Sequence, residues 1–114
     1  MNDSTREMMR IDVVLVVGGS QALIRVVRES VVRLKRADLV TCDMRAAQTR
    51  AAELRPFAIV MPDELHAFDS AEFAALARDV GAQLIVVAGD ALQRENAESI
   101  DRQLSQAFSQ RRKQ

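Results

Sequence analysis

Short apolar segments alternate along the chain with longer segments in which apolar residues recur at helical spacing. The short segments are rich in aliphatic side chains and too short for helices; they are residues 11–17, 38–41, 57–61 and 84–87. Three of them are continuous apolar runs rather than alternating ones. Continuous runs are typical of strands covered on both faces, so the pattern predicts a parallel sheet between two layers of helices.

Helices are predicted between and after these strands, over residues 21–35, 44–54, 70–80 and 91 to about 110. In the first helix, Leu23, Val27 and Val31 follow a period of about 3.6. The third is bounded by Asp69, which suits an N-cap, and by Gly81, which suits the position just after a helix. This alternation, with right-handed crossovers, predicts an open three-layer α/β/α sandwich.

Length and charge narrow the class of protein. The 114 residues are enough for one domain, which we place at residues 11–110 between a flexible N-terminus (1–10) and a basic tail (111–114). Basic and acidic residues number 16 each, so net charge gives no general attraction to nucleic acid or to an anionic membrane. Cys42 is the only cysteine, which excludes an internal disulfide. Without a signal-peptide core or an apolar run of roughly 20 residues, we expect a soluble cytoplasmic protein.

The carboxyl ends of the strands are where an open parallel sheet collects its functional groups. The residues that stand there are, in chain order, Gly18-Gly19-Ser20, Cys42-Asp43, Pro62-Asp63-Glu64 and Ala88-Gly89-Asp90. Two glycines between a strand and a helix predict either a ligand-binding corner or a tight turn. We expect Cys42 to be a small buried hydrophobe whose pKa is raised by Asp43.

Two stretches of this sequence resemble the receiver domain of bacterial two-component response regulators. "VLVVGGSQALIRVVRESV" resembles the first strand and helix of receivers, and "LVTCDMRAAQTRAAELRPFAIVMPDELHAFDSAEF" resembles the stretch from their second strand into their third helix. The resemblance covers about residues 11–90 and rests on similarity along these two stretches rather than on one motif. It implies a flavodoxin-like fold, here with four parallel strands in the order 2-1-3-4.

The family's catalytic positions are occupied here by residues that cannot perform the family's chemistry. The acidic pair that holds Mg²⁺ in receivers is matched by Gly18 and Gly19, and the phosphorylated aspartate by Pro62, with Asp63 one residue later. The Ser or Thr after the fourth strand is matched by Ala88, and the lysine of the fifth strand has no counterpart. In receivers the two carboxylates hold the cation, and the cation and the lysine neutralise the charge of the transferring phosphoryl group. The resemblance therefore implies a pseudo-receiver that is not an enzyme, has no cofactor and is not phosphorylated.

The absence of a fifth strand makes the fourth strand an edge of the predicted sheet. An uncharged apolar edge favours pairing with another strand or cover by another element. We therefore predict an interface built from Leu84 and Val86 of the strand and from Ile100, Leu104 and Phe108 of the last helix. The predicted partner is a second copy or another protein in bacterial signalling, and neither nucleic acid nor membrane is expected.

Two alternative functions stay open at the level of sequence. A small ligand or nucleotide could bind at the corner formed by Gly18 and Gly19, although the spacing matches no complete phosphate-binding motif. Asp63 could act as a residual phosphoacceptor or contribute to an acidic site with its neighbours. His66 is predicted to lie in an exposed loop, with no partners at metal-ligand spacing.

Overall fold

The fold is a four-stranded, all-parallel sheet between two layers of helices, in a computed structural model that describes residues 12–90 and 93–113. The strands are β1 (Asp12–Val17), β2 (Ala37–Cys42), β3 (Ala58–Pro62) and β4 (Gln83–Val87). The helices are α1 (Gln21–Arg33), α2 (Ala47–Leu54), α3 (Asp63–His66), α4 (Ser70–Val80) and α5 (Arg94–Lys113). The strand order is β2-β1-β3-β4, so the predicted α/β/α sandwich and its flavodoxin-like order 2-1-3-4 are confirmed.

The central strands are buried on both faces, as continuous apolar runs require. Val14 and Val16 pack with α1 and α5, whereas Leu15 and Val17 point to the opposite face and pack with α2 and α4. All four side chains are fully buried. Because successive strand residues point to opposite faces, each central strand contributes to both halves of the core.

The last helix covers the chain's own sheet. Ile100 and Leu104 are buried in the same apolar cluster as α1, and the Arg33 guanidinium of α1 bonds to the Asp101 carboxylate of α5 at 2.7 Å. That hydrogen bond lowers the pKa of Asp101. Phe108 packs edge-on against Phe57, with ring centroids 5.3 Å apart. These three residues of the predicted interface are therefore placed in or against the core, and only Leu84 and Val86 of that set lie at the sheet edge.

Local side-chain chemistry moves several element boundaries from where the pattern places them. The second helix begins at Ala47 rather than at Met44, because the Asp43 carboxylate accepts from the Ala46 N–H at 2.8 Å and holds a turn there. The first helix ends before Lys35, whose φ of 49° is left-handed. The helix α4, which is the third of the predicted helices, runs between Asp69 and Gly81 as predicted. Residues 1–11, which include the predicted start of the first strand, residues 91 and 92, and residue 114 at the end of the predicted tail lie outside the described part of the chain.

The predicted basic tail belongs in part to the packed domain. The helix α5 continues past residue 110 to Lys113, and the Arg111 guanidinium donates to three backbone carbonyls. These are the carbonyls of Arg55 at 3.1 Å, Pro56 at 2.7 Å and Gly81 at 3.2 Å. Arg55 and Gly81 are the residues that end α2 and α4, so one cation meets the negative ends of two helices on the opposite face.

Replacing Arg111 with alanine should lower the free energy of unfolding by about 1–2 kcal/mol, because carbonyls at two helix ends lose a charged donor. Arg111→Lys should recover part of this loss, since an ammonium cannot span the three carbonyls. Urea denaturation measures the effect. The matched control is Arg102→Ala, an exposed arginine of the same helix, which should change stability by less than about 0.5 kcal/mol. Equal effects of the two alanine variants would contradict this role for Arg111.

Candidate functional site

A crevice opens at the carboxyl ends of β1 and β3, where the strand order reverses. The chain leaves β1 toward the α1 face and leaves β3 toward the opposite face, so the two connections diverge there. The space between them is about 270 Å³. Its lining consists of Gly18, Gly19, Ser20, Ala22, Leu23, Pro62, Glu64, Val87, Gly89 and Asp90. The topology thus brings Gly18, Gly19 and Pro62 together, whereas Asp63 and Ala88 are not part of the lining.

Packing explains why two glycines stand at this corner. Gly18 has a φ of 62°, and a β-carbon there would collide with the Leu65 side chain. A β-carbon on Gly19 would lie 2.8 Å from Cγ1 of the buried Val16 and 3.2 Å from Cδ2 of Leu23. Aspartates at these two positions would require Leu65 and the buried Val16 to shift, so packing as well as composition disfavours an acidic pair at this corner.

The residues after β3 form one helical turn rather than the predicted loop. Asp63 and Glu64 begin α3, and His66 ends it, partly buried rather than exposed as predicted. The Ala67 N–H donates to the Asp63 carbonyl at 2.9 Å, which closes the turn. This turn brings Leu65 over Gly18, while the side chains of Asp63 and Glu64 are exposed.

The turn after β4 is held by an amide side chain. The Asn96 amide nitrogen of α5 donates to the carbonyls of Ala88 at 3.3 Å and Asp90 at 2.7 Å. Gly89 lies between them with a φ of 74°. The loop is therefore tied to the last helix, and it presents Gly89 and Asp90 to the crevice.

The groups around the crevice differ from those of a phosphoryl-transfer site. Ser20 caps α1 by accepting from the Leu23 N–H at 3.2 Å, and it places the helix N-terminus at the crevice. Glu64 and Asp90 are the carboxylates of the lining, and they oppose the binding of an anion. Among the described residues, no three His, Cys, Asp or Glu side chains are grouped so as to hold a metal ion.

Cys42 lies at the end of β2 and is partly buried, which is less than the full burial expected of it. Burial raises the pKa of its thiol, and the neighbouring Asp43 carboxylate raises it further. The thiol is therefore protonated at neutral pH, so it has the character of a small hydrophobe rather than of a nucleophile.

The two edges of the sheet differ in how they meet solvent. Backbone groups of Arg36 and Cys42 bond to β1, so alternate residues such as Leu39 point outward from β2. The outward Leu39 N–H donates to the Asp38 carboxylate at 2.8 Å, which caps this edge. No residue of β4 is charged, and its Val86 side chain is 36% exposed. One edge is thus blunted by a carboxylate and the other is bare and apolar.

A second surface feature is a groove of about 460 Å³ between α2 and α4. Phe68, which is 75% exposed, and Met44 stand in its lining. The sequence pattern does not predict that Phe68 and Met44 are exposed next to each other, because neither residue falls in an apolar run. The α4 side of the groove carries Asp69 and Glu72, whose hydrogen bond raises the pKa of Glu72. The groove therefore combines exposed apolar side chains with a charged rim, unlike the β4 edge.

The chain matches no protein-family model, no curated protein and no solved structure. The flavodoxin-like fold accordingly rests on the strand order and the layers described above. The resemblance to receivers stays a prediction. None of the described helices is long and apolar enough to cross a membrane.

Substitution of Gly18 should reveal the steric role of Leu65. Gly18 and Gly89 both have positive φ, but a β-carbon at Gly18 would overlap the Leu65 side chain, whereas at Gly89 it would lie in ordinary contact, 3.8 Å from the Asn96 amide nitrogen. Gly89→Ala should therefore cost about 1–2 kcal/mol from backbone strain alone, and Gly18→Ala should cost at least about 1 kcal/mol more. Chemical denaturation of both variants, and of Gly18→Ala combined with Leu65→Ala, measures the difference. Equal losses in the two single variants would show that Leu65 does not restrict this corner.

Proposed function

We propose that this chain is a non-catalytic interaction module, a degenerate receiver-like domain of bacterial signalling that pairs with a second copy through β4 and does not depend on phosphorylation. The observation that carries the proposal is the bare edge of β4. The Gln83 N–H donates to the Phe57 carbonyl at 3.0 Å, so Gln83, Ile85 and Val87 direct their backbone groups to β3. The backbone groups of Leu84 and Val86 then point away from the sheet.

Two further features support pairing at this edge rather than at the other. A strand edge without charge, proline or bulge is a template for another strand, whereas the opposite edge has its outward Leu39 N–H occupied by Asp38. The corner where receivers carry out phosphoryl transfer holds Gly18, Gly19 and Pro62 in this chain. These residues supply none of the carboxylates that receivers use at those positions, which supports a role other than phosphoryl transfer.

The test is the effect of Val86→Lys on the mass measured by light scattering. A lysine on the edge strand places a charge where the second strand would pack, so the dissociation constant of the dimer should rise by at least about tenfold, or ~1.4 kcal/mol. The matched control is Val32→Lys on α1, where the valine is 73% exposed and far from β4 in the fold. Circular dichroism should show both variants folded.

A parent protein that is monomeric at all accessible concentrations would refute self-pairing. So would a dimer that Val86→Lys leaves intact, because the contact would then lie on another surface. Dissociation by both lysine variants would point to a general effect of charge rather than to the β4 edge.

A second candidate function is the binding of a small ligand or nucleotide in the crevice, favoured by its place at the reversal of strand order. Bound ligand should raise the melting temperature by mass action. For an anionic ligand the rise should be larger in Glu64→Gln, because that substitution removes a repelling carboxylate from the lining.

Thermal melts with ATP, AMP and inorganic phosphate test this candidate, with Glu29→Gln on the outer face of α1 as the matched control. A shift that grows in the Glu64 variant but not in the Glu29 variant would place the ligand in the crevice. No shift with any of the three anions would remove nucleotide binding as a function.

A further inference from the structure

The surroundings of the β4 edge are nearly free of charge on both faces of the sheet. On α4, Glu72, Leu76 and Asp79 line the groove toward α2, so the opposite flank of this helix lies toward the bare edge. That flank carries Ser70, Ala74 and Arg78, spaced four residues apart and all exposed. Small side chains there permit close approach of another helix.

The α5 helix presents a similar flank on the other face. Asp101 faces α1 through its bond to Arg33, and Gln110 lines a small cleft with Gln83 at the start of β4. The helical row that leads to Gln110 begins at Glu95 and continues with the uncharged residues Ser99, Gln103 and Gln106. The amide nitrogen of Gln103 donates to the Ser99 hydroxyl at 3.1 Å.

This lack of charge is informative because 28% of the chain's residues are charged. Across β4 and these two flanks, as far as the structure describes them, the charged residues are Arg78 on α4 and Glu95 in the first turn of α5. Depletion of charge is the compositional mark of the centre of a protein–protein interface. The edge, which has unpaired backbone groups, and the flanks, which have small or neutral side chains, therefore form one continuous surface.

The outward backbone groups of β4 are symmetric about Ile85, because Leu84 and Val86 point away from the sheet on either side of it. From this we propose that two copies pair antiparallel about a two-fold axis at Ile85 and form one continuous sheet; the inference rests on the proposed function. Leu84 exchanges both backbone hydrogen bonds with the partner's Val86, and the reciprocal pair does the same. The two side chains lie on one face of the sheet and pack across the junction.

The helix layers fit this arrangement without rearrangement. A helix is about 10 Å wide and two strand spacings measure about 9.6 Å, so two helices cover the four strands on each face of the sheet. A doubled sheet of eight strands needs four helices on each face, which is the number that two copies supply. The 11 residues of α4 and the five of β4 each span about 17 Å. Ala74 lies near the middle of α4 and Ile85 in the middle of β4, so in this arrangement a small side chain stands close to the axis.

The register predicts a specific pattern of disulfide crosslinks in a Cys42→Ser background. A hydrogen-bonded antiparallel pair has α-carbons about 5.5 Å apart, which a disulfide can span, whereas diagonal neighbours about 7–8 Å apart are beyond its reach. Leu84→Cys and Val86→Cys chains, co-expressed and oxidised, should therefore crosslink to each other. Each variant expressed alone should not crosslink, and neither should the surface control Val32→Cys.

The outcomes separate this inference from the proposed function. A crosslink within Leu84→Cys alone or within Val86→Cys alone would establish pairing at β4 with a shifted axis, which overturns the register and keeps the function. A dimer that forms no crosslink in any combination would overturn both, as would a parent chain that stays monomeric in light scattering.

Discussion

The whole structure depends on the need to cover both faces of an apolar parallel sheet. Every residue from Val14 to Val17 is fully buried, so neither face of β1 can be left to solvent. The last helix, α5, lies beside α1, where Ile100 and Leu104 complete the apolar cluster on that face. This placement gives each face two long helices, and it leaves β4 at an edge that neither layer closes.

Features of the fold that depend on local chemistry could be predicted from the sequence, and those that depend on distant contacts could not. Asp69 and Gly81 bound α4 because an N-cap carboxylate and a left-handed glycine act within one helical turn. The stripe of Ile100 and Leu104 predicted an amphipathic helix, but a stripe does not say which face of the sheet it covers. Arg111 was assigned to a tail because its carbonyl partners lie 30 to 56 residues away in sequence.

At the candidate site, the sequence alone places the residues at the ends of separate strands, and the topology of the sheet brings them together. Gly18, Gly19 and Pro62 meet because parallel strands β1 and β3 are neighbours. The position of Leu65 over Gly18 could not be predicted, because it follows from the helical turn after β3. That turn has four residues without a helical pattern of apolar positions. The contrast between the two sheet edges could not be predicted from the sequence either, since it depends on which backbone groups point outward.

The carboxylate of Asp38 has a consequence for how large an assembly can grow. Pairing of two sheets at β4 leaves the two β2 edges as the outer limits of the doubled sheet. At each limit the outward Leu39 N–H is already bonded to its neighbour's carboxylate. At this position a third copy would meet a carboxylate and an occupied N–H instead of a free donor. In the proposed dimer, β2 is therefore the less favourable edge for a further copy, which would limit growth of the sheet.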